Sequence, residues 1–222
     1  TTGNTQQFSE ICAELQDPEG LVGPSLALIT GRAGRGKTEA ARHHAVQTSA
    51  VYIRTLPVMT PVMVLREIAF ELSAIKPFST SSCLEIIDRE MAKETRLVLI
   101  DEADQIPLKV LETLRGINER AGCPIVLIGE EGLAAMIARE RRLTSRIRRR
   151  MIFGPVAQND LIMFYGEALG LEIPPAAAGI LHRHCKGDWR PLLVAAVGIE
   201  RALKASGVKD VSEDLAREVT GQ

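Results

Sequence analysis

The run Gly31, Arg32, Ala33, Gly34, Arg35, Gly36, Lys37, Thr38 satisfies the pattern G-x-x-x-x-G-K-[ST] at every fixed position. Residues of these types at this spacing bind phosphate. The glycines let backbone amides turn onto phosphate oxygens, and the start of the following helix adds a positive dipole end. Lys37 is expected to reach the β and γ phosphates of ATP, Thr38 to hold Mg2+, and Glu39 to close the binding segment. A second constellation, Leu97–Asp104 (LVLIDEAD), delivers Asp101 to the tip of an apolar strand. There Asp101 can support the Mg2+ shell, while Glu102 can polarise a water in line with the γ phosphate. A carboxylate directly after the metal-supporting aspartate favours hydrolysis over phosphoryl transfer to a small molecule. The plainer alternatives are a chance glycine-rich turn and two acids that merely end a strand. A strand before the loop and a helix after it favour nucleotide binding.

Elements must hold these groups in place. The apolar run Ser25–Thr30 suits a buried strand, Lys37 to about Thr48 a helix, and Ala50–Leu56 (AVYIRTL) a second strand. Helical spacing predicts Pro61–Ile75 and Ser82–Lys93, with Pro61 in a first turn. Leu97–Asp101 and Pro124–Ile128 read as buried strands, Pro107–Ala121 as a helix and Met151–Phe153 as a short fifth strand. Apolar strands alternating with helices predict an α/β fold: a parallel five-stranded sheet covered on both faces. After Pro155 only helical stretches follow: Asn159–Leu169, Pro175–Cys185, Pro191–Ala205 and Ser212–Val219, interrupted by Gly170, Gly187 and Gly207. The expected organisation is a helix near Thr5–Leu15 and a linker in 1–24, marked by Pro18, Gly20, Gly23 and Pro24. A nucleotide-binding α/β domain in 25–156 and a small helical lid in 157–222 follow.

From Ser25 to the C-terminus this order of features resembles the AAA+ ATPases, which are P-loop NTPases. The resemblance implies a polar sensor after the fourth strand; here Ile128, Gly129, Glu130 and Glu131 stand there, so Glu130 departs from the usual Asn, Ser or Thr. It also implies an arginine finger before the fifth strand, matched by Arg146, that acts on a neighbouring subunit's γ phosphate. A lid arginine is matched by Arg190, after Gly187, Asp188 and Trp189; it would touch the nucleotide of its own subunit. The segment LIGEEGLAAMI, followed by SRI, resembles more narrowly the DNA-transposition ATPases of the phage Mu transposition protein B and TnsC-like type. That likeness implies an ATPase that forms homo-oligomeric rings or helical filaments on duplex DNA and presents target DNA to a transposase. A replication initiator or loader and a nucleotide-gated protein-interaction switch without DNA binding are the alternatives.

Charge bears on the DNA question. Net charge is only −1, yet Arg139–Arg150 (RERRLTSRIRRR) carries seven arginines and one glutamate, a local +6 on a −7 background. If helical, Arg139, Arg142, Arg146 and Arg149 or Arg150 would repeat on one face. Arg139, Arg142, Arg148, Arg149 and Arg150 are therefore candidates for DNA phosphates or for a subunit interface, with Arg54 at the end of the second strand and Arg66 on the next helix. The loop Leu56–Val62 is apolar and uncharged. The four cysteines are scattered, without a CxxC pair, and neither a membrane-length apolar stretch nor a signal peptide is present, so a cytoplasmic protein is expected. The chain opens on Thr rather than Met, which leaves room for an N-terminal module. His182, His184 and Cys185 are expected to serve no metal, His43 and His44 to pack or face solvent, and Trp189 to pack the lid.

Overall fold

The computed structural model describes residues 2–17, 23–206 and 210–221. Pro18, Gly20 and Gly207, expected above to break regular structure, lie outside the described residues. The chain divides into two compact units, one of Gln7–Arg32 with Lys37–Phe153, the other of Thr1–Gln6, Ala33–Gly36 and Gly154–Gln222.

The first unit is built on five strands, β1 Leu26–Thr30, β2 Val51–Arg54, β3 Val98–Asp101, β4 Ile125–Gly129 and β5 Ile147–Ile152, in the order β2-β3-β4-β1-β5. Every pairing is parallel. Its helices are α1 Gly3–Gln16 from Gln7 onward, α2 Lys37–Thr48, α3 Pro61–Ser73, α4 Thr80–Lys93, α5 Leu108–Ala121, α6 Glu131–Ala138 and α7 Arg141–Thr144. The all-apolar strands serve two cores by simple alternation. Leu26, Leu28, Val98, Ile100, Ile125 and Leu127 pack with α3, α4 and α5. Ala27, Ile29, Leu99, Val126 and Ile128 pack with α1 and α2. Phe8, Ile11, Cys12 and Leu15 of α1 all belong to that second core. Their i, i+3, i+4, i+7 spacing makes α1 a layer of this unit, rather than only the helix of a leading linker.

Two expectations are corrected. The fifth strand begins at Ile147, not Met151, and the arginine segment is not one helix. Arg139 caps α6, Arg141 and Arg142 lie in α7, and Arg148, Arg149 and Arg150 lie in β5. The physical reason is that β5 is an edge strand, paired only with β1. An edge tolerates charged side chains that a central strand would bury. Charge density therefore hid a strand whose apolar anchor is Met151, 4% exposed.

The second unit is helical among the described residues: α8 Gln158–Leu169, α9 Pro175–Cys185, α10 Trp189–Ser206 and α11 Glu213–Thr220. Leu161, Tyr165, Leu181, Leu192, Ile199 and Ala216 share its core. Trp189 meets Phe164 edge-on at 5.4 Å, which fits the packing expected of it. His182 Nε2 lies 2.9 Å from the Val156 carbonyl, a structural contact. No helix among the described residues is long and apolar enough to cross a membrane.

His44 sets a pH limit on the first unit. The ring is 6% exposed, meets Phe8 edge-on at 5.8 Å, and its Nε2 has no hydrogen-bond partner among the described residues. Burial first, then His43, holds its pKa below the ordinary value. The unfolded chain therefore takes up a proton as pH falls through about 6.5, while the folded chain resists it. Each pH unit between those two midpoints removes about 1.4 kcal/mol of stability. Thermal melting should accordingly shift downward between pH 7 and pH 5 in wild type, and less in His44→Leu; parallel pH profiles would dismiss this role.

Candidate functional site

The strand order brings the two sequence motifs to one edge. The glycine-rich loop follows the carboxyl end of β1, and Asp101 ends β3, with β4 between them. Two strand spacings, about 10 Å, separate those ends. The carboxyl edge of a parallel sheet is where such folds bind ligands.

The loop is built by close approach. A Cβ at Gly31 would lie 2.8 Å from the Phe153 carbonyl oxygen, so only glycine fits beside the end of β5. Gly36 has φ +91°, a conformation L side chains rarely adopt. Lys37 is 9% exposed, and its Nζ donates to the Gly31 carbonyl at 2.6 Å and to the Arg32 carbonyl at 2.9 Å. The ammonium is thus already aimed into its own loop, where phosphate oxygens can replace carbonyls. Thr38 follows in the first turn of α2, partly buried. Glu39 is exposed and ion-pairs with Arg42 at 3.5 Å. Arg32 is exposed.

Ala33–Gly36 belongs to the second unit, together with the start of α10. Trp189 N–H donates to the Gly34 carbonyl at 2.9 Å, and Arg35 donates to the carbonyls of Lys186 and Gly187. The Asp188 carboxylate fills the space a Cβ at Gly34 would need, and its Oδ1 accepts from Arg190 N–H at 2.8 Å. The middle of the phosphate loop is therefore tied to the turn that precedes Arg190, whose exposed side chain stands on the first turn of α10.

The acid pair is held by β2. Asp101 is 2% exposed; Oδ2 accepts from the Tyr52 hydroxyl at 2.8 Å and Oδ1 from Glu102 N–H at 3.0 Å. Burial first, then the bond to Asp101, pushes the Tyr52 phenol up to about 12. Glu102 adopts φ 58° and ψ 34°. That left-handed conformation costs a residue other than glycine on the order of 1–2 kcal/mol. The buried Thr55 hydroxyl donates to the carbonyls of Asp101 at 2.9 Å and Glu102 at 2.8 Å. The Glu102 carboxylate accepts from Arg54 Nε at 3.0 Å and Nη2 at 2.5 Å, and from Gln105 Nε2 at 2.9 Å. Arg54, a candidate for DNA phosphate, is thus turned to Glu102.

Glu130, at the polar sensor position, is exposed as the N-cap of α6. Its N–H donates to Asp104 Oδ1 at 2.9 Å, linking the acid motif to β4. A Cβ at Gly129 would collide with that same oxygen.

Arg146 lies at the other edge. It immediately precedes β5, whose first residue Ile147 pairs with Leu26 at the start of β1. The phosphate loop follows the far end of β1, beyond Thr30. Arg146 Nε donates to Glu119 at 2.6 Å, and Arg115 donates to the other oxygen at 2.6 Å. Those bonds, Arg146 first, hold the Glu119 carboxyl below the ordinary range. Arg148 and Arg149 grip Glu14 at 3.2 and 2.7 Å. Arg139, Arg141, Arg142 and Arg150 have no ion-pair partner among the described residues. Arg66 donates to the carbonyls of Pro77 and Phe78. Tyr52, Thr55, Asp104 and the Arg35 tie were missed by sequence reasoning. The available signal was a strand ending in polar residues, Tyr52, Arg54 and Thr55, before an uncharged loop.

Residues 22–137 match the AAA domain family. The chain is 33% identical over 146 residues to the ATP-dependent target DNA activator B of Escherichia phage Mu, covering 62% of this chain and 47% of that protein. It is 33% identical over 109 residues to the Mu-like prophage FluMu DNA transposition protein B of Haemophilus influenzae, covering 48% of this chain and 38% of that protein. The chain thus spans less than half the length of these relatives. Among solved structures it is similar to Aeropyrum pernix ORC2, with TM-score 0.71, 18% identity, 99% of this chain and 66% of that one. It is also similar to the Thermotoga maritima RuvB Holliday junction branch migration motor, with TM-score 0.68, 18% identity, 100% of this chain and 69% of that one. These two likenesses show the fold.

Proposed function

The chain belongs to the AAA domain family, and on that premise we propose that it is an ATP-hydrolysing regulator of DNA transposition. In this reading it oligomerises on duplex DNA without sequence preference and delivers target DNA to a transposase. One observation carries the ATPase half: a complete phosphate loop and an Asp101–Glu102 pair share one sheet edge, with Arg146 at the opposite edge. The transposition half is supported by the likeness to the phage Mu and FluMu proteins.

Gly31–Thr38 cradles the triphosphate, and Lys37 exchanges its carbonyl partners for phosphate oxygens. Thr38 and Asp101 fit Mg2+, since one is a hydroxyl at a helix start and the other a buried carboxylate fixed by two donors. When bound, that ion neutralises charge on the phosphates. Glu102 orients the attacking water, and Arg190 serves its own subunit's nucleotide. Arg146 serves a neighbouring copy, so hydrolysis depends on assembly. The test is the ATPase rate with and without duplex DNA over a protein concentration series. A rate per subunit that rises with concentration and with DNA is expected; a flat, DNA-indifferent rate refutes the proposal.

The ion pairs of Arg146, Arg148 and Arg149 favour a second reading, in which the arginine segment works only between proteins. Salt dependence separates the two. Each arginine that neutralises a phosphate contributes about 0.9 to the slope of log affinity against log salt. Replacing Arg139, Arg142 and Arg150 by Gln should weaken duplex binding alike for all sequences and lower that slope by about 2–3. An unchanged slope with lost self-association would select the protein-only reading.

A further inference from the structure

The acid pair sits on β3, but four of its hydrogen bonds come from two β2-side residues. Tyr52 points its hydroxyl at Asp101 Oδ2, 2.8 Å away, across 49 positions of sequence. The carboxylate's other oxygen takes the N–H of Glu102. With both oxygens fixed, a buried Asp101 has one orientation to offer. The Arg42 guanidinium stands over the Tyr52 ring, 5.8 Å from its centre. Thr55 does for the backbone what Tyr52 does for the side chain. Its N–H donates to the Asp101 carbonyl at 2.9 Å. Its hydroxyl lies within hydrogen-bonding distance of the carbonyls of both Asp101 and Glu102, the latter in the left-handed conformation. Two carbonyls converge on one hydroxyl only because the chain turns sharply at Glu102. Without that hydroxyl the Asp101 carbonyl keeps the Thr55 N–H and the Glu102 carbonyl keeps the Gln105 N–H, but the one group that bridges the two carbonyls is gone, and the turn that aims the Glu102 side chain loosens.

We propose that Tyr52 and Thr55 are positioning residues of the ATPase centre, Tyr52 setting the carboxylate of Asp101 for the metal and Thr55 setting the turn that aims Glu102. The inference rests on the ATPase reading of this site. It gives β2 a role that neither the phosphate loop nor the acid motif contains, and the two residues leave different signatures. Tyr52 acts on metal affinity. Thr55 acts on turnover at saturating metal.

The whole chain is titrated with Mg2+ while the anisotropy of a fluorescent ATP analogue reports binding; phosphate release is followed in parallel. Tyr52→Phe keeps the ring and removes only the hydroxyl. It should raise the Mg2+ concentration for half-maximal binding by about three- to tenfold, as loss of one ordinary hydrogen bond implies, and leave affinity in EDTA unchanged. Thr55→Val should leave the Mg2+ midpoint in place and lower turnover about tenfold, with Thr55→Ser restoring it to within about twofold. Melting temperatures of all variants are recorded alongside. A Tyr52→Phe protein with the wild-type Mg2+ midpoint overturns the role of Tyr52. Val and Ser variants of equal turnover, or losses that only track melting temperature, overturn the role of Thr55. Wild-type protein that binds the analogue independently of Mg2+ instead removes the ATPase reading beneath the inference.

Discussion

Glu102→Gln should bind ATP as wild type does and lose hydrolysis by about 10²–10⁴-fold, the range that a positioned general base contributes. The substitution is nearly isosteric, so the left-handed turn and the Thr55 bonds to the Asp101 and Glu102 carbonyls can persist. What changes is the carboxylate. Neutral Gln still offers an oxygen to Arg54 and Gln105 but accepts no proton from water. Lys37, Thr38 and Asp101 are untouched, so nucleotide affinity measured by anisotropy should hold. Phosphate release within about threefold of wild type would remove Glu102 from the water-positioning role.

Arg146→Ala should leave nucleotide binding intact and cut assembled ATPase activity steeply, by up to the 10³–10⁵-fold associated with arginine fingers. Register supplies the reason. Ile147 stands beside Leu26 and Ile152 beside Thr30, so Arg146 precedes the end of β5 that lies opposite the phosphate loop after β1. Six residues of β5 span roughly 20 Å. A side chain at that edge acts on its own subunit's nucleotide only by crossing the sheet, whereas a second copy can present it directly. Its bond to Glu119 is exposed, so folding stability should change little. Mixing Arg146→Ala with Lys37→Ala supplies an intact arginine from one chain and an intact phosphate loop from the other. Partial recovery of activity in the mixture is expected; no recovery at any ratio would sink action in trans.

Much of the fold could be read from local pattern. Leu26–Thr30, Val98–Asp101 and Ile125–Gly129 are buried at every position and apolar up to their last residues because both faces of a parallel sheet are covered, and such runs declare themselves. The helix boundaries from Pro61 to Cys185 follow apolar spacing and turn residues, and differ by a few residues at frayed ends such as Ile75. The β5 edge did not announce itself, because three consecutive arginines, Arg148, Arg149 and Arg150, occupy both faces of an edge strand and leave no apolar alternation. The short helices α6, directly after β4, and α7, directly after α6, carry too few turns for a periodic signal.

The sequence by itself determined the groups whose parts are contiguous: Gly31–Thr38, which the proposal assigns to phosphate, and Asp101 with Glu102 beside it, which it assigns to metal and water. These groups work at fixed short spacing, so the order of residues is already most of their geometry. Tertiary structure alone decided which arginines are engaged, with Arg146 on Glu119, Arg148 and Arg149 on Glu14, and Arg54 on Glu102. It also decided that Tyr52 and Thr55 hold the acid pair. Partners 46 to 49 positions apart meet only because the sheet places β2 beside β3. That adjacency comes from crossover connections and burial of two cores, which no local run of residues encodes.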